Sequence, residues 1–319
     1  MHVFGPVPSR RLGRSLGVNH IPPKVCSYAC RYCQLGSTLN MSVERRNFFD
    51  PSAIAAEVEA KLEDLKKSGD PVDYLAFVPD GEPTLDLGIG TLAEKIKAFG
   101  VPIAVISNAS LIGDPEVQEA LMQFDWVSLK VDGATEDVWR FVDRPHKKLS
   151  FDSILKGVGD FASSYEGHLE TETMLIAGGN DGDEQLEALA SFLESVSPAV
   201  CRLSSPTRPP ACPDVACVDE ERLAVATATF QSHGLNPMIL NAYEGDDFTR
   251  TGDVRDALLS ILSVHPMKEA AVARFLEQEG DDPALVERMV ADGDVVKADW
   301  RGDVFYARNL RNAKDRESY

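Results

Sequence analysis

Cys26-Ser27-Tyr28-Ala29-Cys30-Arg31-Tyr32-Cys33 decides how this chain is read. Its three thiols follow a C-x3-C-x2-C spacing, close enough for a wrapped backbone to turn all of them towards one point, as the thiolate ligands of an iron-sulfur cluster must. The next cysteine is Cys201, so no fourth thiol lies nearby in sequence. A structural zinc site or an electron-carrying cluster is normally closed by a fourth protein ligand, whereas three ligands leave one metal corner open to another molecule. That opening points to chemistry rather than scaffolding.

Working outward, Arg14 to Ile21 alternates loosely until Pro22-Pro23 stops it, which predicts a short strand running into the cysteine loop. Asp50-Pro51 supplies a cap and a first-turn proline for a helix with a buried stripe at Ile54, Val58, Leu62 and Leu65, ended by Gly69. Strands are then expected at 72–78, 101–107, 126–131, 169–176 and 200–205, with helices at 89–99, 115–122, 151–162, 183–194 and 219–233. Six strands alternating with helices predict a parallel sheet buried on both faces, with ligands at the carboxyl ends of its strands.

Unusual residues gather at those ends. After the second strand comes Asp80-Gly81-Glu82-Pro83-Thr84, where a glycine permits close backbone approach and a carboxylate can accept from an ammonium; an ordinary Asp-Gly turn is the alternative. Ser107-Asn108-Ala109 follows the third strand. Ser128, Lys130 and Asp132 share one face of the fourth, and an inward Lys130 would need an anion close by; the alternative is a solvated lysine. Asp143-Arg144-Pro145-His146 is placed at the mouth of the sheet. Glu172 on the fifth strand points either inward or out.

The cysteine spacing, with the aromatic Tyr32 before the last thiol, resembles the radical S-adenosylmethionine superfamily. The resemblance implies a partial (β/α)6 TIM-like barrel in which Cys26, Cys30 and Cys33 hold a 4Fe–4S cluster. The open iron would chelate S-adenosylmethionine, and reductive cleavage would give a 5′-deoxyadenosyl radical. Tyr32, Asp80, Gly81, Glu82, Pro83, Thr84, Ser107, Asn108, Ser128 and Lys130 become the residues that hold S-adenosylmethionine, and an external low-potential electron donor of flavodoxin or ferredoxin type is implied. Pro6-Val7-Pro8-Ser9-Arg10-Arg11-Leu12-Gly13, Ile21-Pro22-Pro23-Lys24 and Pro206-Thr207-Arg208-Pro209-Pro210 resemble a branch related to the wybutosine synthases, over residues 3–240. Arg10, Arg11, Asp132 and Arg208 are the substrate-side candidates.

Composition narrows the function classes. At 319 residues and 44% hydrophobic content the chain can bury a large domain and a small one. No apolar run reaches membrane-span or signal-peptide length, so a cytoplasmic protein is expected. The net charge of −19 is uneven: residues 1–43 hold Arg10, Arg11, Arg14, Lys24 and Arg31 and no acid. These cations either neutralise the thiolates, sit on a solvated turn, or form an anion pocket. The acidic remainder repels phosphate backbones, which disfavours a tRNA-base substrate and nucleic acid in general.

Residues 241–252 read as a linker between a 1–240 domain and a smaller one at 253–312, with a tail at 313–319. Helices at 254–264, 267–279 and 283–292 followed by a hairpin at 295–307 resemble a winged helix. Ten Lys and Arg against fourteen Asp and Glu from residue 253 onward make DNA anchoring weak there. A protein or peptide docking module, a lid or a structural cap is expected instead. A metal-sensing winged-helix regulator is the reading from another class. Cys201, Cys212 and Cys217 either bind a second cluster or are ordinary cysteines, and they contain no C-x2-C pair.

Overall fold

The computed structural model describes residues 2–240 and 253–310. The expected linker at 241–252 and the tail at 313–319 fall outside them. Among the described residues no helix is long and apolar enough to cross a membrane.

The chain opens with an antiparallel pair, β1 (Val3–Ser9) and β2 (Gly13–Val18). The cysteine loop follows, pinned by a two-residue parallel ladder of β3 (Val25–Cys26) and β4 (Asn40–Met41). Then α1 (Pro51–Ser68), β5 (Tyr74–Phe77), α2 (Ile89–Lys97), β6 (Ile103–Ser107), α3 (Pro115–Leu121) and β7 (Trp126–Lys130) alternate. They are followed by α4 (Glu136–Asp143), α5 (Phe151–Ser164), β8 (His168–Met174), α6 (Asp183–Val196), β9 (Val200–Ser204), α7 (Glu220–Ser232) and β10 (Pro237–Ile239). The helix starts follow the capping signals: Asp50 accepts from the Ser52 N–H ahead of α1, and Gly69 ends that helix at φ 79°.

The eight-stranded sheet has the order β1-β2-β5-β6-β7-β8-β9-β10, and every neighbouring pair except β1–β2 is parallel. Two strands therefore join the expected six. β1 carries Pro6 and Pro8, which an edge strand tolerates because one side of it needs no ladder donors. β10 is three residues long and mostly exposed, too short for a periodic signal.

The two-residue period separates the faces of the sheet. Leu75, Phe77, Ile103, Val105, Val127 and Leu129 enter the main core with the helices, each worth about 1.5–3 kcal/mol when buried. The opposite face carries Ala76, Ala104 and Trp126, which pack with Leu12 of the β1–β2 turn. Arg11 of the same turn bonds Glu172 on β8, across the three strands β5, β6 and β7. The sheet thus curls, and this second face is concave.

The C-terminal unit comprises α8 (Val254–Val264), β11 (Met267–Lys268), α9 (Glu269–Gln278), α10 (Leu285–Ala291), β12 (Val295–Trp300) and β13 (Asp303–Arg308). Its antiparallel sheet runs β11-β13-β12. The helix expected from Met267 starts at Glu269 because Met267 and Lys268 pair with Tyr306 and Phe305. Leu258, Ile261, Phe275, Met289 and Tyr306 form a separate core, against which Val7 of β1 packs.

Candidate functional site

The three thiols are held by the chain on both sides of their loop. Ala29 N–H donates to the Asp143 and Arg144 carbonyls and Arg31 N–H to the Val142 carbonyl, so the end of α4 forms one wall. On the other side Lys24 N–H donates to the Asp80 carbonyl and Glu82 N–H to the Val25 carbonyl. Gly81 lies so close to that carbonyl that any Cβ would collide with it, a concrete reason for glycine at this turn.

Each sulfur has a polar neighbour. Lys24 Nζ donates to Cys33 Sγ at 3.2 Å, Asn108 Nδ2 donates to Cys26 Sγ at 3.5 Å, and Cys30 Sγ donates to Asp143 Oδ1 at 3.4 Å. Burial pushes the Cys26 thiol up to about 12, with Glu82 and Cys33 adding to the rise. Burial raises Cys30 well above the ordinary thiol range, reinforced by Asp143, Cys26 and Cys33. Among the described residues no trio of His, Cys, Asp or Glu is compact enough to share a single metal ion. Three thiols on one loop, with an ammonium and an amide donating to two of the sulfurs, are the donor chemistry an iron-sulfur group takes.

The strand-end residues converge beside this loop. Glu82 is 1% exposed, and its Oε1 accepts from Thr84 N, Thr84 Oγ1 and Ser107 Oγ at 2.6–3.0 Å while Oε2 accepts from Asn108 N at 2.8 Å. Burial raises its pKa, and these four donors oppose the rise. Asp80 accepts from Asn19 Nδ2 at 3.2 Å, and Pro83 and Thr84 are buried in the first turn after Glu82. Asn108 bonds Ser27 at 3.0 Å as well as reaching Cys26. Ser128 is fully buried, and its hydroxyl has no hydrogen-bond partner among the described residues.

Tyr32 ties the loop to the concave face. Its hydroxyl donates to Asp132, and its ring lies 5.0 Å beneath Lys130 Nζ. Lys130 points inward, 3.6 Å from Glu172 and 3.9 Å from Asp132. The anion that an inward Lys130 requires is thus supplied by this pair. Burial alone would raise the Glu172 carboxyl, but Arg11 and Lys130 outweigh it and hold it at about 2. Asp132 also accepts from Met174 N at 2.6 Å.

A cavity of about 310 Å³ opens on this face, lined by Arg10, Arg11, Tyr32, Lys130, Glu172 and Arg208 among others. Arg10 donates to the Leu240 carbonyl. Arg208 is 7% exposed and donates to Pro266 O at 3.0 Å and to the His265 ring at 2.7 Å. Gln34 Nε2 adds a bond to Val264 O at 3.1 Å, so the C-terminal unit borders the cavity. His146, beyond the end of α4, packs against the cysteine loop, its N–H bonded to the Ser27 carbonyl.

Sequence reasoning left Lys24 and Asp143 without individual roles, although each touches a cysteine of the triplet. The remaining cysteines do not converge. Cys201, on β9, packs in the core, where burial raises it to about 11. Cys212 accepts from Arg144 at 3.3 Å, and Cys217 donates to the Pro206 carbonyl.

The model of the Radical SAM superfamily matches residues 21–193. The chain belongs to the radical SAM superfamily. As a radical SAM enzyme it works with a 4Fe–4S cluster and S-adenosylmethionine and needs a reductant. A UPF0026 protein of Methanocaldococcus jannaschii is 40% identical over 311 residues, covering 97% of this chain and 96% of the relative. A UPF0026 protein of Helicobacter pylori is 37% identical over 211 residues, 65% of this chain and 67% of that one. Among solved structures, a radical SAM methyltransferase from Sphaerobacter thermophilus superposes with a TM-score of 0.55 at 14% identity, over 72% of this chain and 67% of that one. At that identity the likeness concerns the fold alone.

Proposed function

We propose that this radical SAM enzyme holds its cluster through Cys26, Cys30 and Cys33 at the mouth of a partial (β/α)6 barrel and receives its substrate in the concave cavity. The observation that carries the reading is that three partly buried thiols on one short loop adjoin the strand-end residues, with Asn108 donating to Cys26 and Lys24 to Cys33. With cluster and S-adenosylmethionine bound, the chemistry supplied is a 5′-deoxyadenosyl radical that removes a hydrogen atom from the substrate.

The chain's own residues hold and orient. Lys24 and Asn108 donate to two of the sulfurs, and Tyr32 fastens the loop to Asp132. Glu82 Oε1 is filled by three donors, but Oε2 accepts, among the described residues, only from Asn108, which leaves it a lone pair for the ammonium of S-adenosylmethionine. Asp80, Gly81, Pro83, Thr84, Ser107 and the unpartnered hydroxyl of Ser128 complete the proposed cofactor contacts. Lys130, already held by Asp132 and Glu172, steadies Tyr32 instead of meeting the cofactor's carboxylate.

The cavity volume of about 310 Å³ favours a small anionic metabolite or one side chain of a peptide or protein, with Arg10, Arg11 and Arg208 on the substrate side. The helix–strand–helix–helix–strand–strand order of the C-terminal unit supports a winged-helix module, and its contacts at Arg208 and Gln34 support a role in presenting that substrate. A flavodoxin- or ferredoxin-type protein would supply the electron. Anaerobic reconstitution with iron and sulfide, followed by reduction, should release 5′-deoxyadenosine from S-adenosylmethionine. Changing Cys26, Cys30 and Cys33 to alanine should abolish both iron uptake and release. A triple variant that retains either one refutes the assignment.

A further inference from the structure

Lys24 stands two residues before the first cysteine and is 3% exposed. Its backbone adopts φ 60°, a left-handed conformation unusual for a side chain of this size. Four groups lock it: its N–H donates to the Asp80 carbonyl, and its carbonyl accepts from Leu39 and Asn40 N–H, while Nζ donates to Cys33 Sγ at 3.2 Å. Among the described residues no carboxylate forms an ion pair with this ammonium, and a thiol is its only hydrogen-bond acceptor. An ammonium taken out of water requires a compensating anion, and a neutral thiol is not one.

We propose that Lys24 sets the reduction potential of the cluster through its hydrogen bond to the Cys33 sulfur. The inference rests on the reading of Cys33 as a ligand. Three thiolates around an iron-sulfur group leave it negative, and accepting one electron from an external donor makes it more negative by one charge. A fixed cation at a ligand sulfur favours that reduced state over the oxidised one, since hydrogen bonds to sulfur and net charge are the protein's levers on such potentials. The left-handed backbone keeps the ammonium aimed at the sulfur, and the burial keeps water from screening it.

The test is an EPR-monitored titration with dithionite on the anaerobically reconstituted full-length protein and its Lys24→Met, Lys24→Gln and Lys24→Arg variants. With iron and sulfide content equal to wild type, the two neutral variants should disfavour the reduced cluster at least tenfold, about 59 mV for one electron. Lys24→Arg should restore most of the shift. A loaded neutral variant with an unchanged midpoint overturns the proposal. An unchanged midpoint with weaker S-adenosylmethionine binding also overturns it, and assigns Lys24 to the cofactor's carboxylate. Folded neutral variants that never take up iron make Lys24 an assembly residue and overturn it too. A wild-type protein that takes up no iron fails earlier, at the cysteine assignment, and that failure is distinct.

Discussion

Two lysines flank the cysteine loop, and their surroundings differ. On the concave face Lys130, 16% exposed at its side chain, lies between two carboxylates and over the Tyr32 ring. In the loop wall Lys24 is buried more deeply, and among the described residues its ammonium hydrogen-bonds only the Cys33 sulfur. The first charge is balanced by carboxylates of the fold itself, whereas the second would be balanced by the thiolates and cluster proposed above. On the proposed reading, one region is complete as folded and the other is completed by the cluster.

The comparison breaks first at Lys130. Replacing it with methionine leaves the buried Asp132 and Glu172 carboxylates with one cation fewer, which should cost the metal-free protein about 3–5 kcal/mol in a urea titration. A loss below about 1 kcal/mol would show that the concave-face network is not closed. Glu172→Gln should cost somewhat less, about 2–3 kcal/mol near neutral pH, and it carries a pH signature. The Glu172 carboxyl sits at about 2 when folded against about 4.3 in an unfolded chain. Its contribution is therefore full above pH 4.3 and fades as pH falls through 2. Stability measured over that window should fall more gently with acid in the variant. Parallel acid limbs would place the low-pH loss elsewhere, for instance in the buried Glu170–Arg202 pair.

How much of this was legible in sequence depended on distance along the chain. The C-x3-C-x2-C spacing and the shared face of Ser128, Lys130 and Asp132 are local patterns, and a thiol loop or a two-residue period states them directly. The antiparallel β1 hides behind its prolines, and α4 beyond a helix start at the end of a loop. Five N-terminal cations looked alike as a group. Folding sorts them: Arg11 goes to Glu172, Arg14 to Asp70 and Arg31 to Asp214, and Lys24 alone reaches a sulfur. The three carboxylate partners lie tens to hundreds of residues away, and although Cys33 is only nine residues from Lys24, no spacing rule reports which cation takes which partner. Glu82 is mixed: Thr84 in its own turn supplies two donors, whereas the others come from Ser107 at the end of β6 and Asn108 just after it.

The smallest expected effect sharpens the comparison most. Lys24→Met in the metal-free protein exchanges a buried ammonium without a carboxylate for an apolar chain of similar length. The lost bond to a neutral thiol is weak, and the relief from burying a charge offsets it. Urea unfolding of that metal-free variant should therefore differ from wild type by less than about 1 kcal/mol, in contrast to the large loss at Lys130. After reconstitution the balance changes sign, because the ammonium then faces thiolate and cluster charge, and the variant should become the less stable of the two. A metal-free loss as large as that of Lys130→Met would mean that Lys24 already has its counter-charge within the fold, and the two regions would no longer differ in kind.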